Sequence, residues 1–419
     1  MTSSRNGAIK TVAIIGGGAS ASTLAIMLAR QGITVAILNK PRRAPLVVGE
    51  SLVPAIIPML RTLGVEDEVK TYSLLKPGAC FNMNEWGDYP FNFADFCAPL
   101  PTYAYNVPRA RFDDTLQNAA RKAGAGIIET EAQLERIDSA DRVRLSADTL
   151  AATGGFLKDQ PDLIVDATGR ARLLPKLLDI PAREGGRRDT ALFAHVDRAD
   201  ILKPGYVHTS RLDHGWSWRI PLPDRVSLGI VIGSEFLPPF GTTPEERYDN
   251  LLRQDSVLKA ATAGAKRLTP VMEYANYQLV SDRMTGEGWA LVGDTAGFID
   301  PVFSSGLLVG MRGAMSLADA VGKGTPAAFK EYEKGVKHHL KIWHEVAGYF
   351  YDGRMFTCFR VGQMLRNNPL VRLSFPHMNK HMGRIFAGAA VTAPYSMRLL
   401  RFAMKYGMKD EDPGDMAIR

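Results

Sequence analysis

The sequence predicts an α/β (α+β) fold: a parallel sheet flanked by helices, interrupted by an antiparallel sheet and followed by a helical C-terminal extension. Three observations predict it. Residues 10–15 (KTVAII), the turn GGGASAS, the apolar-periodic run STLAIMLARQG and the run ITVAIL at 33–38 succeed one another as strand, turn, helix and strand. Between 188 and 233 the short runs ALFAHV, GYVHTS, SWRIPL and VSLGIVIG, separated by turn residues, suggest an antiparallel sheet. After about residue 327 the pattern is mostly helical and rich in aromatic residues.

The remaining elements fall between these. SLVPAIIPMLRTLGV (51–65) reads as a helix after a polar start, and 79–106 as irregular strands and loops. FDDTLQNAARKAG (112–124) is a helix ending at Gly124, and 125–165 holds short strand patterns closing on LIVDATGR (163–170). TPEERYDNLLRQ is a helix, WALVGD (289–294) a buried strand ending on an acid, and SSGLLVGMRGAMSLADAV a further helix. The resulting division is a discontinuous dinucleotide-binding domain at 1–75, 105–187 and 272–325. A β-rich substrate domain takes 76–104 and 188–271, and the helical extension takes 326–419.

The chain has 419 residues, enough for a large core, and its 46% hydrophobic and 23% charged residues exclude a disordered or fibrous chain. No apolar run approaches the ~20 residues of a membrane-spanning helix. The first apolar stretch runs into glycines without a cleavage site. Cys80, Cys97 and Cys358 are odd in number and widely spaced, which suits buried thiols in a reducing cytoplasm and no metal site. The His338-His339 pair and His344 lack a third ligand at metal spacing.

The net charge is +7, yet residues 321–419 hold 16 Lys+Arg against 8 Asp+Glu, so the basicity belongs to the C-terminal tail. No nucleic-acid motif accompanies it. A solvated helical face and a docking surface for an acidic protein or carrier are the two readings of that charge.

The chemistry-bearing residues form two constellations. In Gly16-Gly17-Gly18-Ala19-Ser20-Ala21, Gly16 permits a tight turn, and Gly18 lets the backbone approach a pyrophosphate. The helix N-terminus offers free N–H groups, and Ala21 takes the third fingerprint position. At the end of the second strand Asn39 stands where an Asp or Glu would meet a ribose hydroxyl. Far downstream, Gly293-Asp294-Thr295 ends a strand, and Asp300-Pro301 leads into a helix at Ser304-Ser305-Gly306. The pair marks an FAD-binding, Rossmann-like domain rather than an NAD dehydrogenase.

These motifs, with Gly49-Glu50-Ser51 and Pro54, the run from Arg109 to Asp113, and DATGR, occur in this order in the flavin-dependent halogenases and their monooxygenase relatives, which the chain resembles over about residues 10–320. GWSWRIPL is similar to the halogenases' WxWxIP signature, with Trp216 and Trp218. FIDPVFSSG is similar to their FxxPxxSxG signature, with Phe298, Pro301, Ser304 and Gly306.

The resemblance implies FAD, dioxygen and a flavin C4a-hydroperoxide that oxidises chloride or bromide. It implies a tunnel guarded by Trp216 and Trp218, and a lysine that delivers the halogen to an electron-rich ring. The expected cofactor contacts are Gly16, Gly18, Ala19, Ser20, Ala21, Asn39, Glu50, Ser51, Arg109, Asp294, Pro301, Ser305 and Gly306. The expected catalytic residues are Lys76, Trp216, Trp218 and Ser304.

Phe303 takes the place where tryptophan halogenases carry an acid, so the sequence looks more like the branch acting on phenols or carrier-tethered pyrroles. Lys76, five residues before Phe81, is either the halogen-carrying lysine or a surface or structural one; Cys80 stands immediately before that Phe. Two activities stay open. One is halogenation of a phenol, pyrrole or indole, free or protein-borne. The other is hydroxylation of an aromatic side chain, such as peptidyl tryptophan in tryptophylquinone biogenesis. With no second Gly-rich unit for a nicotinamide, a separate flavin reductase is an expected partner.

Overall fold

The computed structural model describes residues 8–40, 46–83, 86–96, 98–137, 141–275, 278–365, 367–408 and 411–418. The opening unit forms as its hydrophobic pattern dictates: strand Thr11–Ile15, helix Ala19–Arg30, strand Thr34–Asn39. Val12, Ala13 and Ile14 are fully buried. Their strand is central, paired in parallel with Thr34–Asn39 on one side and Leu163–Asp166 on the other, and a parallel sheet is covered on both faces.

Among the described residues this sheet has six strands, in the order Thr285–Gly286, Trp289–Leu291, Leu163–Asp166, Thr11–Ile15, Thr34–Asn39, Gly126–Glu129. Only the edge pair of Thr285–Gly286 with Trp289–Leu291 is antiparallel. Ile15 pairs with Asp166, and Asp166 with Leu291, so the chain leaves these strands at one edge of the sheet. Open α/β sheets bind ligands at this carboxyl edge.

Three sequence expectations are corrected here. The run WALVGD is a strand only to Leu291. Gly293, at φ +66°, breaks it, and Gly293–Thr295 forms a 3-10 turn that swings Asp294 around. Residues 51–65 are not one helix: a 3-10 turn at Pro54–Ile56 precedes a helix at Ile57–Leu63, which ends at Gly64 before a second begins at Glu66. The helix expected from 112 spans Arg109–Lys122, because Pro108 presets its entry and brings Arg109 into the first turn.

The second sheet has seven strands, in the order Met272–Ala275, Asp189–Val196, Val226–Gly233, Gly215–Pro221, Val207–Leu212, Gly78–Asn82, Asp88–Asn92. All its pairings are antiparallel except that of Gly78–Asn82 with Val207–Leu212. Both faces of its central strands are buried. Leu192, Leu228, Ile230 and Ile232 pack under the helices carrying Tyr248, Leu251 and Leu258. Alternate residues, among them Phe193, Trp216, Trp218 and Val231, point to the main core.

The C-terminal helices Pro326–Tyr351, Arg354–Met364, Pro369–Arg384 and Pro394–Tyr406 close over that second face. Cys80 is buried, whereas Cys358 is only half-buried; Cys97 lies outside the described residues. Among the described residues no helix is long and apolar enough to cross a membrane.

Candidate functional site

The Gly-rich turn lies where the backbone must pass closest to its neighbours. Gly16 has φ +104°, and a Cβ there would stand 2.5 Å from the Ala167 carbonyl oxygen. The turn is held from behind by Gln117, whose Nε2 donates to the Gly17 carbonyl at 2.6 Å. Helix Ala19–Arg30 begins at Gly18 with no side chain capping its free N–H groups.

A second uncapped N-terminus faces the same cavity. Helix Ser305–Lys323 starts from Ser304, a non-glycine residue held at φ +54°, a conformation costing about 1 kcal/mol or more. The two helices approach closely because Gly310 has no side chain: a Cβ there would meet Ser20 Oγ at 2.5 Å. Two positive dipole ends therefore converge on one cavity. Its wall includes Gly18, Ala19, Ser20, Ala21, Ser51, Arg109, Trp216, Trp218, Asp294, Pro301, Ser304 and Gly306.

Arg109 reaches this wall from the helix Arg109–Lys122. Its guanidinium donates to the carbonyl oxygens of Val48 and Gly49 and to Asp113 Oδ1 at 3.2 Å. Its Nε is buried and has no partner among the described residues. Asp294 opens onto the cavity and is exposed there. Desolvation by the surrounding protein raises its carboxyl pKa above the ordinary carboxylate range, against the pull of Arg109 and Arg170.

Two loops at the sheet's edge are tied together through Asp166. Its Oδ1 accepts from Thr168 N at 2.8 Å and from Thr295 Oγ1 at 3.3 Å, and Thr295 Oγ1 also bonds the Gly169 carbonyl at 3.2 Å. DATGR and GDTAG are thus one structural unit.

On the opposite wall stand the two tryptophans. They are separated by one residue on the strand Gly215–Pro221 and share a face, with ring centroids 5.7 Å apart. Trp216 Nε1 donates to Tyr351 Oη at 2.9 Å and Trp218 Nε1 to Ser227 Oγ at 3.3 Å. Behind Trp216 lies an aromatic core, where Phe303 stacks on Phe386 at 5.3 Å and contacts Phe81 at 6.2 Å and Phe350 at 5.9 Å.

Gly16, Asn39, Glu50, Lys76 and Ser305 stand behind the cavity wall rather than on it. Asn39 packs on Gly17, where a Cβ would meet its carboxamide carbon at 2.5 Å. Glu50 is buried and turned to His195, with Oε1 2.8 Å from Nε2, and His195 Nδ1 has no partner among the described residues. Ser305 opens the second helix and is buried. Lys76 is 3% exposed, which removes the surface reading of it. Its Nζ donates to Ser51 Oγ at 2.7 Å and to the Leu52 carbonyl at 2.9 Å.

The structure adds residues that sequence reasoning missed. Val207 and Thr209 join the wall, but nothing in an apolar β-run marks which alternate residues face a ligand. Ile220 joins it too, and its signal was the Ile of the WxWxIP run. Gly169 also lines it, and its signal was present in DATGR. Tyr351 and His195 touch predicted residues from segments with no motif.

The arrangement fits FAD. The uncapped helix at Gly18 suits a pyrophosphate, Arg109 lines the same cavity with its Nε unpartnered among the described residues, and the second helix end with Pro301 suits the flavin ring. Comparisons with known proteins agree. The sequence model of the family described as tryptophan halogenase matches residues 11–101 and 95–359. A tryptophan 2-halogenase of Chondromyces crocatus is 29% identical over 86% of this chain and 71% of its own length. A 1H-pyrrole-2-carbonyl-[peptidyl-carrier protein] chlorinase of Pseudomonas fluorescens is 26% identical over 83% of this chain and 85% of its own. Among solved structures, the myxobacterial chondrochloren halogenase, described as a variant of FAD-dependent halogenases, superposes with a TM-score of 0.73 at 26% identity, covering 83% of each chain. A flavoprotein/dehydrogenase of Cytophaga hutchinsonii shares the fold with a TM-score of 0.80 at 22% identity, covering 97% of this chain and 100% of its own. The chain belongs to the tryptophan halogenase family and is an FAD-dependent oxidoreductase.

Proposed function

We propose that this enzyme halogenates an electron-rich aromatic ring (a phenol, pyrrole or indole) with Lys76 and the Trp216–Trp218 wall as its working parts. The observation that supports this reading is that Trp216 and Trp218 line the cavity while Lys76 lies one hydrogen bond behind its wall, through Ser51. Bound FAD, once reduced, supplies the activation of dioxygen that makes an oxidant strong enough to take two electrons from a halide. The protein's own residues do the rest. Gly18 to Ala21 and Arg109 bind the phosphates and sugar, and Ser304 to Gly306 seat the ring.

Trp216 and Trp218 are buried and mutually braced, which keeps an aromatic substrate off the flavin and favours a small diffusible halogen species over direct oxygen transfer. Lys76 lies one hydrogen bond behind the cavity, through Ser51, and its ammonium suits the delivery of that species at a dry site. Phe303, in the place of the tryptophan halogenases' acid, leaves Ser51 and the Leu52 carbonyl to hold the lysine and favours a phenol or pyrrole over free tryptophan.

Residues 354–409 contain ten Lys+Arg and no Asp or Glu, which supports a carrier- or protein-borne substrate docking on the C-terminal helices. A separate flavin reductase supplies the electrons. Reduced flavin, oxygen, bromide and an electron-rich phenol or a pyrrolyl carrier form the test. Brominated product from the wild type, falling at least about a hundredfold in Lys76→Ala, is the expected result.

A second reading, hydroxylation of an aromatic side chain such as peptidyl tryptophan, is favoured by the apolar surroundings of Phe303. Oxygenated, bromine-free product would select it.

A further inference from the structure

Tyr351 ends the helix Pro326–Tyr351 and belongs to neither signature segment, yet it joins them. Its phenol oxygen stands 2.9 Å from Trp216 Nε1 and 2.8 Å from Asp300 Oδ2. An indole N–H only donates, so Tyr351 Oη accepts from Trp216, and its own proton is directed to Asp300 when that carboxyl is ionised. Trp216, Tyr351 and Asp300 are 1%, 7% and 2% exposed, so water does not replace either bond.

The tyrosine is itself held on three sides. Asp300, which also accepts from Val302 N at 2.9 Å and Gln278 Nε2 at 3.3 Å, fixes the hydroxyl. The Arg187 guanidinium covers the ring at 4.1 Å and is clamped by Asp189 through two bonds of 2.9 Å. The Tyr351 carbonyl accepts from Ile418 N at 2.8 Å, and Arg187 bonds the Ile418 carbonyl at 3.0 Å. Arg211 holds the same C-terminal strap through the Met416 carbonyl at 3.1 Å.

We propose that Tyr351 is a positioning residue for the reaction: through its hydroxyl it locks the Trp216 indole in the cavity wall and couples that wall to the Asp300–Pro301 turn. Without the hydroxyl, the buried indole N–H loses its acceptor, a loss of about 1–3 kcal/mol. The ring is then free to leave the orientation that separates the flavin cavity from the aromatic core. The effect on turnover rests on the halogenase reading; the effect on the indole does not.

The test uses the FAD-loaded enzyme labelled on its five tryptophans, with the Trp216 indole N–H resonance assigned by its loss in Trp216→Phe. Tyr351→Phe keeps the ring, its contact with Phe350 and its place under Arg187. It is expected to shift the Trp216 resonance and speed its exchange with solvent by about fivefold or more, the factor for a lost bond of about 1 kcal/mol. FAD affinity should stay within about twofold. The ratio of halogenated product to hydrogen peroxide should fall by about fivefold. In a Trp216→Phe background, adding Tyr351→Phe should lower that ratio by less than about twofold further, because both substitutions act through one contact. An unchanged Trp216 resonance in Tyr351→Phe overturns the proposal, as do two effects that multiply. If the wild type halogenates nothing, the halogenase reading falls, and the indole resonance still decides the role of Tyr351.

Discussion

The two walls of the cavity are made of different material. The cofactor side is backbone: a glycine turn, two uncapped helix ends and loops tied through Asp166. The tryptophan side is side chain: indoles backed by phenyl rings and a tyrosine from distant strands and helices, with Trp216 and Tyr351 135 residues apart. A backbone wall is intolerant of added atoms where close approach sets its shape, as at Gly16 and Gly310. A side-chain wall is a packed core, in which losing atoms leaves a cavity and losing a polar partner frees a ring. In the proposed function the first holds the cofactor and the second sets the substrate preference.

Breaking the backbone wall should have the largest effect. Gly16→Val puts a branched side chain at φ +104° against the Ala167 carbonyl. FAD affinity is expected to fall at least about a hundredfold, the factor of about 3 kcal/mol, read as flavin retained after gel filtration. If the variant keeps its flavin, the wall is not the rigid element described here.

The aromatic packing behind the tryptophan wall should respond in the opposite sense. Phe303→Ala removes a buried ring that contacts Phe81, Phe350 and Phe386. It should cost about 3–5 kcal/mol of stability in denaturant unfolding while leaving FAD content near that of the wild type, since Phe303 is not on the cavity wall.

Titration sharpens the contrast at the seam between the walls. Burial and the nearby Asp189 push Asp300 up to about 7, although Val302 N, Tyr351 and Gln278 donate to it. A carboxyl whose folded pKa is raised contributes its stabilisation below the ordinary carboxylate range and loses it as pH rises through about 7. Stability should therefore decline between pH about 4 and 8 by on the order of a few kcal/mol, and Asp300→Asn should flatten that slope. Thermal unfolding across that range checks it.

The smallest effect is expected at Asn39. Its carboxamide packs behind Gly17 and does not reach the cavity wall. Asn39→Asp should change FAD affinity by less than about threefold, under about 1 kcal/mol, by fluorescence titration. A gain of tenfold or more would mean that a ribose hydroxyl reaches this position.

The same division explains what the sequence could and could not reveal. A Gly-rich turn between two apolar runs, or a Gly-Asp at a strand end, carries its geometry locally, so Gly18, Ser20, Asp294 and Gly306 could be read directly onto the cavity wall. The helix from Arg109 was legible for the same reason, apart from the three residues that Pro108 adds at its start.

Partnerships across distance were not legible. Glu50 was expected at the cofactor from the resemblance carried by Gly49-Glu50-Ser51, but its carboxylate serves His195, whose strand begins well over a hundred residues later. Lys76 looked as compatible with a surface strand as with a site until the fold buried it against Ser51. Tyr351 carried no signal at all: an aromatic residue near a helix end is ordinary, and only the tertiary fold brings it to Trp216. Hydrogen-bond partners chosen by topology leave no periodic trace in a chain.

In the proposed function the tryptophan wall and Lys76 divert oxidising power to a halide rather than to direct oxygen transfer. That diversion is tested most directly by one turnover of the reduced holoenzyme with isotopically labelled dioxygen, bromide and an electron-rich aromatic acceptor, followed by weighing the product. The account predicts a product that gains bromine and no oxygen label. A product that gains the oxygen label and no bromine would contradict it and identify the enzyme as a hydroxylase.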